Sequence, residues 1–152
     1  MHSGRMMRHA KGAHGQSLVE FAFVSLGLVM LLFGVVELSR LLLVWTTVAN
    51  ATRVGVRYAS VHGVHNSASL STVQGIINGY LSAATVDTTR ATVNVCYGAS
   101  VSSVTSCTSS SGSPGVPGSA VAVSVSYPYN PLTGYFPLNV TLRSNSQGVI
   151  AF

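Results

Sequence analysis

The sequence has 152 residues, of which 47% are apolar and only 7% are charged, and its formal net charge is +5. About a quarter of the residues in a typical soluble domain are charged, so the composition argues against a cytosolic enzyme, and the length allows one modest domain and an anchor. The basic residues are scattered without interleaved aromatic residues, which argues against nucleic-acid binding.

Residues 1–15 form a basic leader that contains no acidic residue. Arg5, Arg8 and Lys11 supply its charge. Such a segment is typical of the cytoplasmic flank of a membrane helix, because positive side chains are retained on that side. A disordered basic tail is the alternative interpretation.

An apolar run follows the leader, and residues 21–36 contain no charge at all. We predict a transmembrane segment at about residues 18–45 within a helix that spans residues 16–60. A helix over 18–45 is about 42 Å long, which exceeds the hydrocarbon core of about 30 Å. The surplus places Glu37, Arg40 and Trp45 in the outer interfacial region. Signal-peptidase cleavage near residues 48–51 is the alternative.

Beyond the bilayer the helix carries two stripes at helical spacing. Asn50, Arg53 and Arg57 form a polar stripe. The other stripe consists of small residues that repeat every four positions, namely Thr47, Ala51, Gly55 and Ala59. Small side chains allow a close backbone approach, so this stripe is a candidate for helix packing. It could pack on another subunit or cover the protein's own β-domain, and the pattern is compatible with both.

Residues 61–152 are predicted to form a small extracytoplasmic α+β domain. A polar turn at 61–69 precedes a second helix at 70–84, where Leu, Val, Ile and Tyr recur at helical spacing. The domain has no internal repeat. The predicted fold class is therefore α+β, with a long N-terminal transmembrane helix, a second helix and an antiparallel sheet of about three strands.

Two-residue alternation after Asp87 predicts the strands of that sheet. They fall at 91–97, at 121–126 and from Leu138 to about Ser144. Pro128 is expected to end the second strand because proline cannot continue a central ladder. Ser, Gly and Pro predict a flexible loop at 108–119.

Cys96 and Cys107 are the only cysteines. Outside the cytoplasm a disulfide between them is the default expectation, and it would contribute about 2–4 kcal/mol. Two free thiols are the alternative. A zinc site is disfavoured because the sequence has no C-x-x-C motif.

The residues that could support catalysis do not converge on a site. His62 and His65 lie in a polar loop and are interpreted as solvated. Asp87 is the only acidic residue after Glu37, which argues against paired-carboxylate chemistry. Neither a nucleophile elbow nor a phosphate-binding glycine loop occurs. We expect no enzymatic activity, no metal, no cofactor and no small-molecule substrate.

The head of the apolar run carries the most informative motif, G-Q-S-L-V-E-F-A-F-V at residues 15–24. The segments L-L-F-G-V-V-E-L-S-R-L at 31–41 and T-V-A-N-A-T-R-V-G-V-R-Y-A at 47–59 follow it, and S-V-S-Y-P-Y-N-P-L comes near the C-terminus. In this order the segments resemble the TadE-like proteins, pseudopilins of the Flp/Tad type IVb pilus system. The resemblance is close over about residues 15–60.

The resemblance implies that a prepilin peptidase cleaves the bond between Gly15 and Gln16. Glu20 would then be the fifth residue of the mature chain and could neutralise the new α-amine of Gln16, on its own helix or on a neighbouring subunit. It also implies a single-pass protein of the bacterial inner membrane, with a cytoplasmic N-terminus and other pilus subunits as partners. Two features depart from the family pattern: Phe21 stands where tyrosine is common, and no proline follows it early in the apolar run.

A second hypothesis is a membrane-tethered periplasmic binding module that shares only the anchor with that family. A pseudopilin needs the specific face of its membrane helix, whereas a tethered module needs only a helix that spans the bilayer.

Overall fold

The computed structural model describes residues 13–63, 68–131 and 139–151, and its first element is a single helix, α1 (Ala13–His62). Most of the predicted leader, His65 and Leu138, the first residue of the predicted third strand, lie outside these ranges. The helix ends at Gly63, whose φ of 39° is left-handed. Glycine commonly ends a helix in this way because it has no Cβ to clash.

The chain forms two compact units, residues 1–38 and 39–152, and the boundary falls inside α1. In the first unit the large apolar side chains between residues 18 and 38 are exposed. This stretch rises about 30 Å along the helix, which matches the hydrocarbon thickness of a bilayer. The chain therefore has one N-terminal helix that is long and apolar enough to cross a membrane.

Exposed apolar side chains continue past the boundary of the first unit at Leu42, Leu43 and Trp45, and the transmembrane span of residues 18–45 stays a prediction. Glu37 is buried, with a relative exposure of 6%. Val44 and Val48 are buried in the core of the second unit. From Ser39 onward the helix is thus part of the folded unit.

The second unit is built on a three-stranded antiparallel sheet in the order β1 (Thr92–Gly98), β2 (Ala120–Tyr129) and β3 (Val140–Val149). Val95 pairs with Val123, which pairs with Ser146. The C-terminal part of α1 and a second helix, α2 (Leu70–Ala83), contribute to the core on one face of this sheet. The predicted fold class is confirmed.

The second helix is short and well capped. The Ser69 hydroxyl accepts a hydrogen bond from the Thr72 amide at 3.2 Å, which satisfies one of the free amides of the first turn. Val73, Ile77 and Leu81 recur every four residues and are fully buried. This stripe joins the core that α1 and the sheet share.

Two strands extend further than the sequence predicted. The second strand runs through Pro128 to Tyr129 instead of ending there. Pro128 is tolerated within the strand because the pairing of β1 with β2 ends at Ser126. At Pro128, β2 therefore has an open edge on the β1 side, where proline is allowed. The third strand continues past Ser144 to Val149.

Candidate functional site

The predicted processing residues lie at the beginning of α1. Gly15, Gln16 and Glu20 are all exposed. Gln16 and Glu20 are four residues apart in a continuous helix and therefore share a face. Glu20 is the only charged group in the stretch from residue 15 to residue 36, so it gives this face its single strong polar feature.

The same helix face carries two glycines that the sequence interpretation did not connect with Glu20. Gly27 and Gly34 follow Glu20 at successive seven-residue intervals, and seven residues make nearly two full helical turns. A Cβ added at either glycine would meet no atom within 4 Å. Small residues in a membrane helix allow a second helix to approach closely. The seven-residue spacing is visible in the sequence and could have revealed this face.

The small-residue stripe beyond the apolar stretch faces the protein's own domain. Ala51 and Ala59 are completely buried in the core. A Cβ added at Gly55 would lie 2.6 Å from Cδ1 of Ile77, so α2 approaches the helix backbone at this point. Thr47 is half-buried, and its hydroxyl donates to the Leu43 carbonyl at 2.8 Å. Three of the four stripe residues are therefore already covered within the chain.

The two cysteines form a disulfide, with their Cα atoms 5.8 Å apart. Together with Val104 they cover Ala120 and Ala122, which belong to the sheet face away from the helices. The disulfide thus closes a small second core on that face.

The loop after the disulfide is tied to the sheet instead of being free. The amide of Ser111 donates to the Val95 carbonyl, and the amide of Tyr97 donates to the Ser111 carbonyl, both at 3.0 Å. The Val95 amide donates to the Ser110 hydroxyl at 3.1 Å. Part of the predicted flexible loop 108–119 therefore covers the outer edge of β1.

His62 and Asp87, two titratable groups of the second unit, have structural partners. The ring of His62 stacks on Tyr58 with centroids 3.9 Å apart. Asp87 accepts hydrogen bonds from the hydroxyl and the amide of Thr89, which lower the pKa of its carboxyl group. Within the described ranges, no three His, Cys, Asp or Glu residues come together as a metal site would require.

Comparison with protein families gives one match, to a family described as TadE-like protein, over residues 15–57. The matched segment begins at the glycine of the predicted cleavage motif and ends at Arg57. It covers less than a third of the chain. Comparisons with curated proteins and with solved structures found no match. The resemblance predicted from the sequence is thus confirmed for the N-terminal helix.

Proposed function

We propose that this chain, whose N-terminal helix is TadE-like over residues 15–57, is a pseudopilin of the Tad/Flp type IVb pilus system. It is a structural and assembly protein without enzymatic activity or cofactor. It spans the bacterial inner membrane once, with the leader in the cytoplasm and the folded unit on the periplasmic side. Its partners are the bilayer, the prepilin peptidase and other pilus subunits.

Glu20 is the observation that carries this proposal. A carboxylate in a membrane segment costs about 2.5–3.5 kcal/mol at the helix centre and less near the end, so its presence requires a compensating partner. Cleavage after Gly15 would make Gln16 a helix N-terminus with a new ammonium group. That ammonium and the positive end of the helix dipole both favour a carboxylate near the helix N-terminus, and Glu20 lies about one turn from Gln16 on the same face. Glu20 therefore suits a processed chain better than an uncleaved one.

The helix face around Glu20 suits packing against a second transmembrane helix. Gly27 and Gly34 provide open positions on the same face, and close helix contact there would remove Glu20 from lipid. Ionisable residues in membrane helices generally face protein or water. If the ammonium of one subunit pairs with Glu20 of its neighbour, the pair fixes the axial offset of the two helices.

Three variants test the assembly role. Glu20→Gln removes the charge with little change in shape, and Gly27→Leu fills the open position. Val36→Leu is the matched control, because residue 36 lies on the opposite side of the helix from Gly27. We expect the first two variants to reach the membrane at normal levels but to reduce the number of pili per cell by about tenfold, whereas the control leaves it unchanged.

Electron microscopy counts the pili, and immunoblotting of membranes measures the protein. Normal piliation in both Glu20→Gln and Gly27→Leu cells would contradict the pseudopilin role. It would favour the membrane-tethered binding module, for which the identity of the helix face is immaterial.

A further inference from the structure

The exposed side of the C-terminal half of α1 carries a charged surface that the assembly role leaves unexplained. Arg53 and Arg57 are exposed one helical turn apart. Next to them is an open groove of about 280 Å³, lined by Trp45, Thr46, Ala49, Asn50 and Arg53. Half of the Trp45 side chain is exposed. We call Trp45, Asn50, Arg53 and Arg57 the arginine face.

Among the described residues, no carboxylate neutralises the charge of the arginine face. The second unit contains five arginines and a single acidic residue, Asp87. That carboxylate is held by Thr89 at another position in the fold. In the part of the chain that the structure describes, neither Arg53 nor Arg57 has a carboxylate partner.

A lipid phosphate is a poor candidate to supply the missing charge. Measured from Trp45, the end of the predicted transmembrane span, Arg53 lies about 12 Å and Arg57 about 18 Å further along the helix. The headgroup region extends only about 5–8 Å beyond the hydrocarbon on each side. Trp45 is close enough for a place at the membrane interface, but the two arginines extend past it into solution.

A second copy of this chain is also a poor occupant. Its folded unit carries the same excess of arginines, so two arginine faces repel each other. A pair of carboxylates one helical turn apart, on a helix from a different protein, would match Arg53 and Arg57 directly. An exposed Trp beside exposed Arg is also the composition that is enriched at protein–protein contacts.

We propose that the arginine face binds an acidic helix of a different subunit of the pilus system, with Arg53 and Arg57 paired to Asp or Glu and Trp45 packed at one end. The partner's nature rests on the proposed function, since it assigns the helix to a pilus subunit. The contact would make this chain a heterotypic neighbour in the assembly and not a subunit that stacks on copies of itself.

Zero-length cross-linking tests the contact in whole cells. The chain has one lysine, Lys11, which lies in the leader. Arg53→Lys therefore introduces the only lysine of the folded unit while keeping its charge. A carbodiimide joins such an amine only to a carboxylate in direct contact. Arg143→Lys is the matched control, because Arg143 is exposed on β3.

The expected result is a cross-link from position 53 to an Asp or Glu of another pilus-system subunit, identified by sequencing the joined peptides and absent from the Arg143→Lys strain. A link to Asp87 of a second copy, a link to a protein outside the pilus system, equal linking from position 143 or no link at all would each overturn the proposal.

Charge reversal provides a second test, which does not depend on carbodiimide coupling at a single lysine amine. Arg53→Glu with Arg57→Glu is expected to lower recovery of the cross-linked subunit with this chain by about tenfold or more. Arg143→Glu, the control, is expected to leave recovery unchanged, and an equal loss in both would overturn the proposal. The pilus counts of the Glu20→Gln strain report separately on the assembly role, so failure of one proposal is distinguishable from failure of the other.

Discussion

Tyr97 makes the most consequential single hydrogen bond of the folded unit. Its hydroxyl donates to the Ala68 carbonyl at 2.5 Å, and both residues are buried. The bond connects β1 to the residue just before the N-cap of α2. Burial raises the pKa of Tyr97 to about 12, with a smaller contribution from Tyr58. The neutral hydroxyl is therefore the form that the folded state requires.

We expect Tyr97→Phe to lower the free energy of unfolding at pH 7 by about 1–3 kcal/mol, because it leaves a buried carbonyl without its donor. In the wild type the folded pKa lies above the unfolded value of about 10. The contribution of Tyr97 is thus complete below pH 10 and is lost as the pH rises toward 12. The variant should lose less stability over that interval.

Thermal unfolding of the detergent-solubilised protein, followed by near-ultraviolet circular dichroism between pH 7 and 12, measures both effects. Tyr80→Phe is the control, since Tyr80 is exposed on α2. Equal stability of the Tyr97→Phe protein and the wild type at pH 7, or parallel pH profiles, would contradict this account.

At the scale of single residues, the sequence indicates positions where packing is close, but it does not indicate which side chains pack there. Gly55 stood out in a stripe of small residues, but only the structure shows that Ile77 and Val123 occupy the space beside it.

Among the elements, β1 depends on the loop that follows Cys107 for hydrogen-bond partners along its outer edge. Ser110 and Ser111 supply hydrogen-bond partners to Val95 and Tyr97. The Gln74 side chain of α2 donates to the Val93 carbonyl at 2.9 Å. An uncovered edge strand invites pairing with other chains, so this loop protects the edge as well as closing the second core.

We expect Cys96→Ser with Cys107→Ser to lower the free energy of unfolding by about 3 kcal/mol, the value for a loop of this size. The amide hydrogens of Val95 and Tyr97 should exchange with solvent faster, because the disulfide no longer holds their acceptors, Ser110 and Ser111, beside β1. The amide of Val123, in the central strand, is the internal control.

Hydrogen exchange and denaturant unfolding test the disulfide's role, and mass analysis without reductant tests its existence. Free thiols at both cysteines in protein from the native compartment would contradict the disulfide, and unchanged exchange at Val95 and Tyr97 would contradict its structural role.

The order and type of the helices and strands followed from the periodicity of apolar residues. The C-terminal ends of β2 at Tyr129 and β3 at Val149 did not. The third strand was predicted to reach only about Ser144 because the apolar alternation of Leu138, Val140 and Leu142 stops there. In the structure the Ser144 hydroxyl lies 3.0 Å from that of Thr52 on α1, so a polar side chain occupies a position where apolar alternation was expected. A side-chain hydrogen bond across ninety-two residues leaves no local signal.

For the whole molecule, α1 serves two environments. Up to residue 38 it presents apolar side chains outward over about one bilayer thickness, and from Ser39 it is a layer of a folded α+β unit. The sequence predicted both roles. Beyond residue 38, Leu41, Val44 and Val48 pack on the core, whereas Leu42, Leu43 and Trp45 stay exposed.

A processed pseudopilin begins at the residue after the cleaved bond, so the N-terminal mass of the mature protein tests the proposed role. The protein is isolated from cells with and without the prepilin peptidase. We expect a chain that begins at Gln16 when the peptidase is present and one that retains residues 1–15 when it is absent. An intact leader in cells with an active peptidase would contradict that role.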